Sequence, residues 1–375
     1  MKQWIRSLFL LFPLLVLAAG GCGPAENDGV NVVRALSAEA EADCFEKAVL
    51  PAALKFPQDH GPHPSFQTEW WYYTGNLRTD EGRHFGYQLT FFRRALACEP
   101  AVRQATGTSR WRTRQIYFAH FAVTDTHGNR FYSSSRMNPQ SLGIAGSQAV
   151  PFRVWIDNWS AGEEAGEVVL TARERDTILN LRLTRKGPIV LQGDRGFSRK
   201  GPGLTNASYY YSFPRLMTQG TLTLGSQTHR VTGSSWFDHE WSTTALGRDV
   251  TGWDWFAFHL KDGRNLMVCQ IRDAAGRSNG YGFGSLSRSD GSYEILKGDQ
   301  FFITPTGHWT SPATGKRYPG EWEIHLPGKA LTLQVVPVIP HQEHTHMTVY
   351  WEGAVKIKGI NQKIQGQGYA ELTGY

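Results

Sequence analysis

Two short stretches concentrate the residue types that move protons. Phe56-Pro57-Gln58-Asp59-His60-Gly61-Pro62-His63 is followed closely by Glu69-Trp70-Trp71-Tyr72-Tyr73, and Trp236-Phe237-Asp238-His239-Glu240-Trp241 is followed by Trp253-Asp254-Trp255. Each sets carboxylates and imidazoles among large aromatic faces. A carboxyl against an apolar wall is kept un-ionised and can donate a proton, imidazole titrates near neutrality, and an indole face holds developing positive charge. That combination suits a dry pocket handling an apolar molecule.

Other readings of the same residues stay open. Gly61 and Pro62 make the first motif a turn whose polar groups can satisfy the backbone. Glu69 can be a structural carboxylate at a barrel bottom, and Asp238-His239-Glu240 can be a buried network at a strand end. Tyr209-Tyr210-Tyr211 either line a pocket or bury aromatic area with hydroxyls at the rim. His344 and His346 would share one face of a strand, but Pro337 and Pro340 precede them and no fixed third ligand is visible, so no metal site is expected. No CxxC or HExxH occurs, which leaves thiolate zinc and zinc-hydrolase chemistry unsupported.

The elements that must position these groups read as β. Runs at 70–73, 85–92, 116–124, 130–134, 152–156, 167–172, 177–184 and 221–232 are short, bounded by Gly, Asn, Asp or Pro, and carry no long helical period. With 40 Gly and 18 Pro in 375 residues, evenly spaced strands predict an all-β protein of barrels or sandwiches. One short helix is expected over 37–54. An echo at a spacing of about 180 positions supports two tandem units: Trp70-Trp71-Tyr72-Tyr73 with Glu81-Gly82-Arg83 resembles Trp253-Asp254-Trp255-Phe256 with Asp262-Gly263-Arg264. The expected division is a signal peptide at 1–21, a tether and short helix at 22–49, one barrel at 50–245 and a second at 246–375. The second motif then falls at the seam, a common home for ligand pockets.

The N-terminus reads as an export signal. Lys2 and Arg6 precede an apolar run at 8–19 that is shorter than the ~20 residues a spanning helix needs. It ends Leu17-Ala18-Ala19-Gly20-Gly21-Cys22, which resembles a lipoprotein box with Cys22 as lipid acceptor, ordinary cleavage nearby being the alternative. Gly23, where an inner-membrane lipoprotein often has Asp, favours a periplasmic or cell-surface protein held at the outer membrane. Of the remaining cysteines, Cys44–Cys98 is the favoured disulfide, because Cys269 sits in a strand-like apolar run. The net charge of +6 is scattered in small groups, without a nucleic-acid signature.

These motifs, with Tyr210-Tyr211-Ser212, Gly233-Ser234-Ser235-Trp236 and the closing Gly368-Tyr369-Ala370-Glu371-Leu372-Thr373-Gly374-Tyr375, resemble the carotenoid 1,2-hydratase (hydroxyneurosporene synthase) superfamily, and more closely its secreted AttH-like branch. The resemblance implies two lipocalin-like antiparallel β-barrels and cofactor-free chemistry in which an isoprenoid double bond takes up water. Carried onto this sequence, it makes Asp238 or Asp254 the acid, His239 the group that orients or deprotonates water, and Trp241, Trp253 and Trp255 the faces that stabilise a carbocation. Glu69, Trp70, Trp71, Tyr210, Tyr211, Trp236 and Glu240 would line the ligand site. Two functions follow: a lipid-anchored enzyme acting on a hydrophobic ligand, or a non-catalytic carrier serving a membrane ABC transporter permease.

Overall fold

The computed structural model describes residues 44–98 and 113–375. The leader, Cys22 and the tether lie outside the described residues. So does the first part of the helix expected over 37–54; its described part, 44–54, is irregular chain with no helix.

Strands account for nearly all the regular structure. The first sheet contains β1 (Thr68–Arg78), β2 (His84–Ala95), β3 (Gln115–Asp125), β4 (Arg130–Pro139), β5 (Ala145–Gln148), β6 (Arg153–Ile156) and β7 (Trp159–Glu164). It continues through β8 (Glu167–Glu174), β9 (Thr177–Arg185), β10 (Val190–Leu191), β11 (Phe197–Arg199), β12 (Ala207–Leu224) and β13 (Gln227–Ser242). Its antiparallel order is β4-β3-β2-β1-β13-β12-β9-β8-β7-β6-β5, with β10 and β11 on β12. β5 and β6 return against β3 and β4, curling the sheet towards closure.

The second sheet holds β14 (Val250–Leu260), β15 (Asn265–Asp273), β16 (Phe283–Ser287), β17 (Tyr293–Lys297) and β18 (Phe302–Thr310). β19 (Arg317–Leu326), β20 (Leu331–Pro337), β21 (Glu343–Thr345), β22 (Val349–Gly359) and β23 (Gln365–Leu372) complete it. The order is β17-β16-β15-β14-β23-β22-β20-β19-β18, with β21 on β22. The architecture is two near-barrels in tandem, as expected. The single run read over 221–232 is instead the tip of a long hairpin. Leu224 pairs with Gln227 around Gly225-Ser226, and Gly225 supplies the positive φ of 61° that such a two-residue turn requires.

Each barrel interior is filled. Trp71, Tyr73, Tyr87, Phe121, Trp159 and Trp241 belong to one core, and Phe256, Trp322, Ile324, Leu333 and Trp351 to another. A third apolar cluster draws on both sheets: Tyr72, Tyr210 and Trp236 from the first meet Trp255, Met267, Cys269, Ala354 and Tyr369 from the second. The barrels therefore pack outer face to outer face. At Gly86 the approach is so close that a Cβ would come within 2.6 Å of the Ala354 side chain. Hydrogen bonds fix the seam: Asn76 donates to the Gly368 carbonyl at 3.1 Å, Thr124 to Gln342 at 2.7 Å and His259 to the Pro214 carbonyl at 2.7 Å.

An irregular strap from Cys44 to Gln67 crosses the first barrel. The Cys44–Cys98 disulfide ties it to the end of β2, and Trp71 Nε1 donates to the His60 carbonyl at 3.0 Å.

Candidate functional site

Strand alternation sorts the sequence motifs into two separate places. Successive side chains on a strand point to opposite faces. On β13, Trp236, Asp238 and Glu240 face the seam, while Phe237, His239 and Trp241 face the first barrel's interior. On β1, Trp70 and Tyr72 face the seam and Glu69, Trp71 and Tyr73 the interior. The expectation that Asp238 and His239 share one chamber is thus corrected: neighbours on a regular strand are held apart by the sheet itself.

The seam encloses a cavity of about 270 Å³, just below the usual small-molecule range of about 300–1,000 Å³. Trp70, Tyr72, Tyr210, Trp253, Trp255 and Phe283 give it aromatic walls. Four carboxyls line it: Asp238 and Glu240 from β13, Glu352 from β22 and Glu371 from β23. Lys200 pairs with Glu240 at 2.8 Å and lies 4.1 Å from the Phe283 ring centroid. Among the described residues no such ion pair is made by the other three. Burial pushes Asp238 up to about 7, although its Oδ1 accepts hydrogen bonds from Ser212 at 2.5 Å and Trp236 at 2.8 Å. Glu352 and Glu371 stand directly opposite one another in the β22–β23 ladder. Burial raises both, and the mutual repulsion of their charges adds to the rise at Glu352. Near neutral pH the cavity therefore presents protonated carboxyls to an apolar space.

The inner centre is a buried ionic nest. Glu69, with no exposed side chain, takes Arg93 at 2.8 Å and the His63 main-chain amide at 2.9 Å on Oε2, and His63 at 2.7 Å and His239 at 2.9 Å on Oε1. The Arg93 guanidinium and the two imidazoles hold Glu69 well below its ordinary value against its burial. His63 is raised to about 9, its burial outweighed by Glu69 and Asp59, and it stacks on Trp241 at 3.7 Å. His239 is kept neutral by burial and reaches Tyr211, which also bonds His60 at 2.7 Å. The ligand atoms of His63, Glu69 and His239 lie within 4.8 Å of one another. A metal ion is a poor fit there, because a protonated His63 offers no lone pair and Arg93 already neutralises Glu69.

Asp254 faces away from the seam. Lying between Trp253 and Trp255, it points into the second barrel, where it accepts from Arg272 at 3.2 Å and Tyr375 at 2.8 Å. Of the candidate acid–base residues and carbocation faces, Asp238, Trp253 and Trp255 reach the cavity; His239, Trp241 and Asp254 do not. Of the remaining candidate lining residues, Trp70, Tyr210 and Glu240 line it, Trp236 backs Asp238, and Glu69, Trp71 and Tyr211 belong to the nest and first core. β21 ends at Thr345, so His344 is buried against Tyr350 at 4.7 Å while His346 is exposed beyond the strand. The two do not converge.

Tyr72, His120, Tyr350, Glu352 and Glu371 were not singled out from the sequence as site residues. One signal was present: in the closing motif, Tyr369 and Glu371 share a face by alternation, and a carboxylate in a buried strand with no basic neighbour needs an explanation.

None of the curated proteins matches this chain. The AttH-like family model matches residues 47–375. Among solved structures, an AttH protein of Nitrosomonas europaea is 34% identical, with 88% of this chain and 100% of that one covered at a TM-score of 0.79. Kievitone hydratase from Nectria haematococca shares the fold at 13% identity, covering 90% of this chain and 98% of that one at 0.67. CghA does so at 12% identity, 88% and 96% coverage, and 0.51. With its motifs, its double barrel and its seam all within the matched span, the chain belongs to the AttH-like family.

Proposed function

We propose that this protein binds an isoprenoid- or lipid-like molecule in the seam cavity and performs cofactor-free acid–base chemistry, hydration or isomerisation, on a C=C bond. The observation that carries the reading is the set of buried carboxyls, Asp238 among them, opening onto an aromatic cavity between the barrels, where burial favours their protonated form. Proton transfer from a neutral carboxyl to an alkene makes a carbocation and a carboxylate. Flanking indoles lower the energy of that cation by up to about 2 kcal/mol each when desolvated. The charge exists only in the transition state and intermediate, so this stabilisation accelerates the reaction rather than tightening substrate binding. Water then adds to the cation, or a proton leaves from a neighbouring carbon. The fold shared with a protein named for hydrating kievitone agrees with this assignment.

The leader sequence supports an exported protein anchored through Cys22 to the outer membrane, where apolar ligands partition. The carrier reading rests on the predominantly apolar cavity wall. It needs no protonated carboxyl there, which is why the enzymatic reading is preferred.

The test is incubation of wild type and Asp238→Asn with farnesol, a short isoprenoid alcohol, followed by mass spectrometry of bound and released material. Product one water heavier, or a shifted double bond, formed by wild type and reduced in the variant supports chemistry. Unchanged farnesol retained equally by both makes the protein a carrier.

A further inference from the structure

Within that proposed chemistry, the structure also distinguishes between the acids. Glu352 is 1% exposed and lines the cavity. Its Oε1 accepts from Tyr72 at 2.5 Å, whereas Oε2, equally buried, meets no partner in hydrogen-bonding geometry. An unpaired buried oxygen is costly and therefore uncommon in native folds. Asp238 differs: two donors converge on its Oδ1 and Tyr210 lies alongside, an arrangement that holds the carboxyl still.

The surroundings of Glu352 come from four strands besides its own. Tyr72 reaches it from β1 and Glu371 faces it from β23. Tyr350, two residues earlier on β22, lies beside the same carboxyl. Its hydroxyl is hydrogen-bonded to Gln88 of β2 at 3.2 Å and to Nδ1 of His120, on β3, at 2.8 Å. His120 also lines the cavity. A hydrogen bond thus joins a cavity-lining imidazole to Tyr350, whose hydroxyl lies beside the Glu352 carboxyl.

We propose that Glu352 is the proton donor of the cavity, that its burial opposite Glu371 keeps it neutral, and that the His120–Tyr350 pair returns the proton. In the forward step the Glu352 Oε2–H bond breaks, a C–H bond forms at one alkene carbon, and Glu352 becomes a carboxylate beside the carbocation. A water oxygen bonds the cation. Its surplus proton passes to His120, the Nδ1 proton of His120 to the Tyr350 oxygen, and the Tyr350 hydroxyl proton to Glu352. Water has then been added across the double bond and every protein group has regained its charge; His120 is left with its proton on Nε2 and returns to the Nδ1–H tautomer by exchange with solvent before the next turnover. A weakly basic imidazole suffices, because the oxygen it deprotonates is a strongly acidic oxonium. Glu352 touches the substrate and is catalytic; Tyr350 acts through it and is a positioning residue.

The proposal is tested first without substrate, by infrared titration of the intact protein between pH 6 and 9, comparing wild type with Glu352→Gln. Tyr72 can still donate to the Gln carbonyl, so the variant retains that contact. The expected result is a protonated-carboxyl band in wild type at pH 8 that is clearly weaker in Glu352→Gln. In Tyr350→Phe the band persists but its titration moves, which a purely structural tyrosine would not cause. An identical band in wild type and Glu352→Gln overturns the proposal. With farnesol, Glu352→Gln is expected to lose turnover by roughly a hundredfold to ten-thousandfold, the usual scale of general acid catalysis. Hydration at the wild-type rate by Glu352→Gln also overturns it. A wild type inert towards farnesol, with the infrared result intact, sinks the hydratase reading and leaves the acid pair standing.

Discussion

Replacing Asp238 by Asn should make the protein more stable at alkaline pH while impairing its chemistry. The side chain is 4% exposed, and burial raises its pKa from 3.8 to about 7. A carboxyl that titrates higher in the folded than in the unfolded chain binds more protons when folded. Stability is therefore fully favoured below about pH 4 and falls as pH rises through the window up to about 7. The rise of about 3 units corresponds to on the order of 4 kcal/mol in all, about 3 kcal/mol of it between pH 5 and 8. Asn keeps the shape, and its Oδ1 still accepts from Ser212 and Trp236, but it has no charge to bury. Urea unfolding of both proteins at pH 5, 6, 7 and 8 should show the gap widening with pH in favour of the variant. Parallel profiles, or a variant that weakens as pH rises, would mean that Asp238 is ionised in the fold and would refute the protonated-acid argument.

The nest in the first barrel makes the opposite prediction. Glu69→Gln strips the counter-charge from the fully buried Arg93 and should cost about 3–5 kcal/mol of stability, read by thermal or urea unfolding; a loss below about 1 kcal/mol would show the nest to be dispensable. Reducing Cys44–Cys98, whose partners are 54 positions apart, should cost up to about 4 kcal/mol and free the strap to proteolysis, checked by limited digestion with and without reductant. Because His63 is raised to about 9, its pairing contributes stability that is complete below about pH 6.5 and is lost as pH rises through 9; His63→Gln should flatten that alkaline decline in unfolding experiments. The Cys269 thiol lines the cavity, and burial pushes its pKa far up, so an aromatic disulfide reagent at pH 8 should react with it slowly in the native protein and at once in urea.

Much of this fold was legible because period-two patterning and turn chemistry are local. The hairpin of Trp70-Trp71-Tyr72-Tyr73 with Phe85-Gly86-Tyr87 was visible, as was its echo near Trp253. The tip at Gly225-Ser226 was missed because Thr recurs on both sides, although Gly-Ser between two strand runs is itself a hairpin signal. The site was half legible for the same reason. Composition placed acids beside indoles, but grouping Asp238 with His239 ignored that adjacent residues on a strand serve different faces. Glu352 and Glu371 were harder still: what makes them acids is their cross-strand pairing and a second barrel's outer face, neither of which a linear motif encodes.

The most direct test of the seam cavity as the place of chemistry is photolabelling with a diazirine analogue of farnesol, followed by peptide mapping. Labels are expected on the cavity-facing side of β14 and β22, at Trp253, Trp255 and Tyr350, and should be displaced by excess farnesol. Labels inside the first barrel, at Trp71, Phe121 or Trp159, would contradict the account and move the site to the barrel interior.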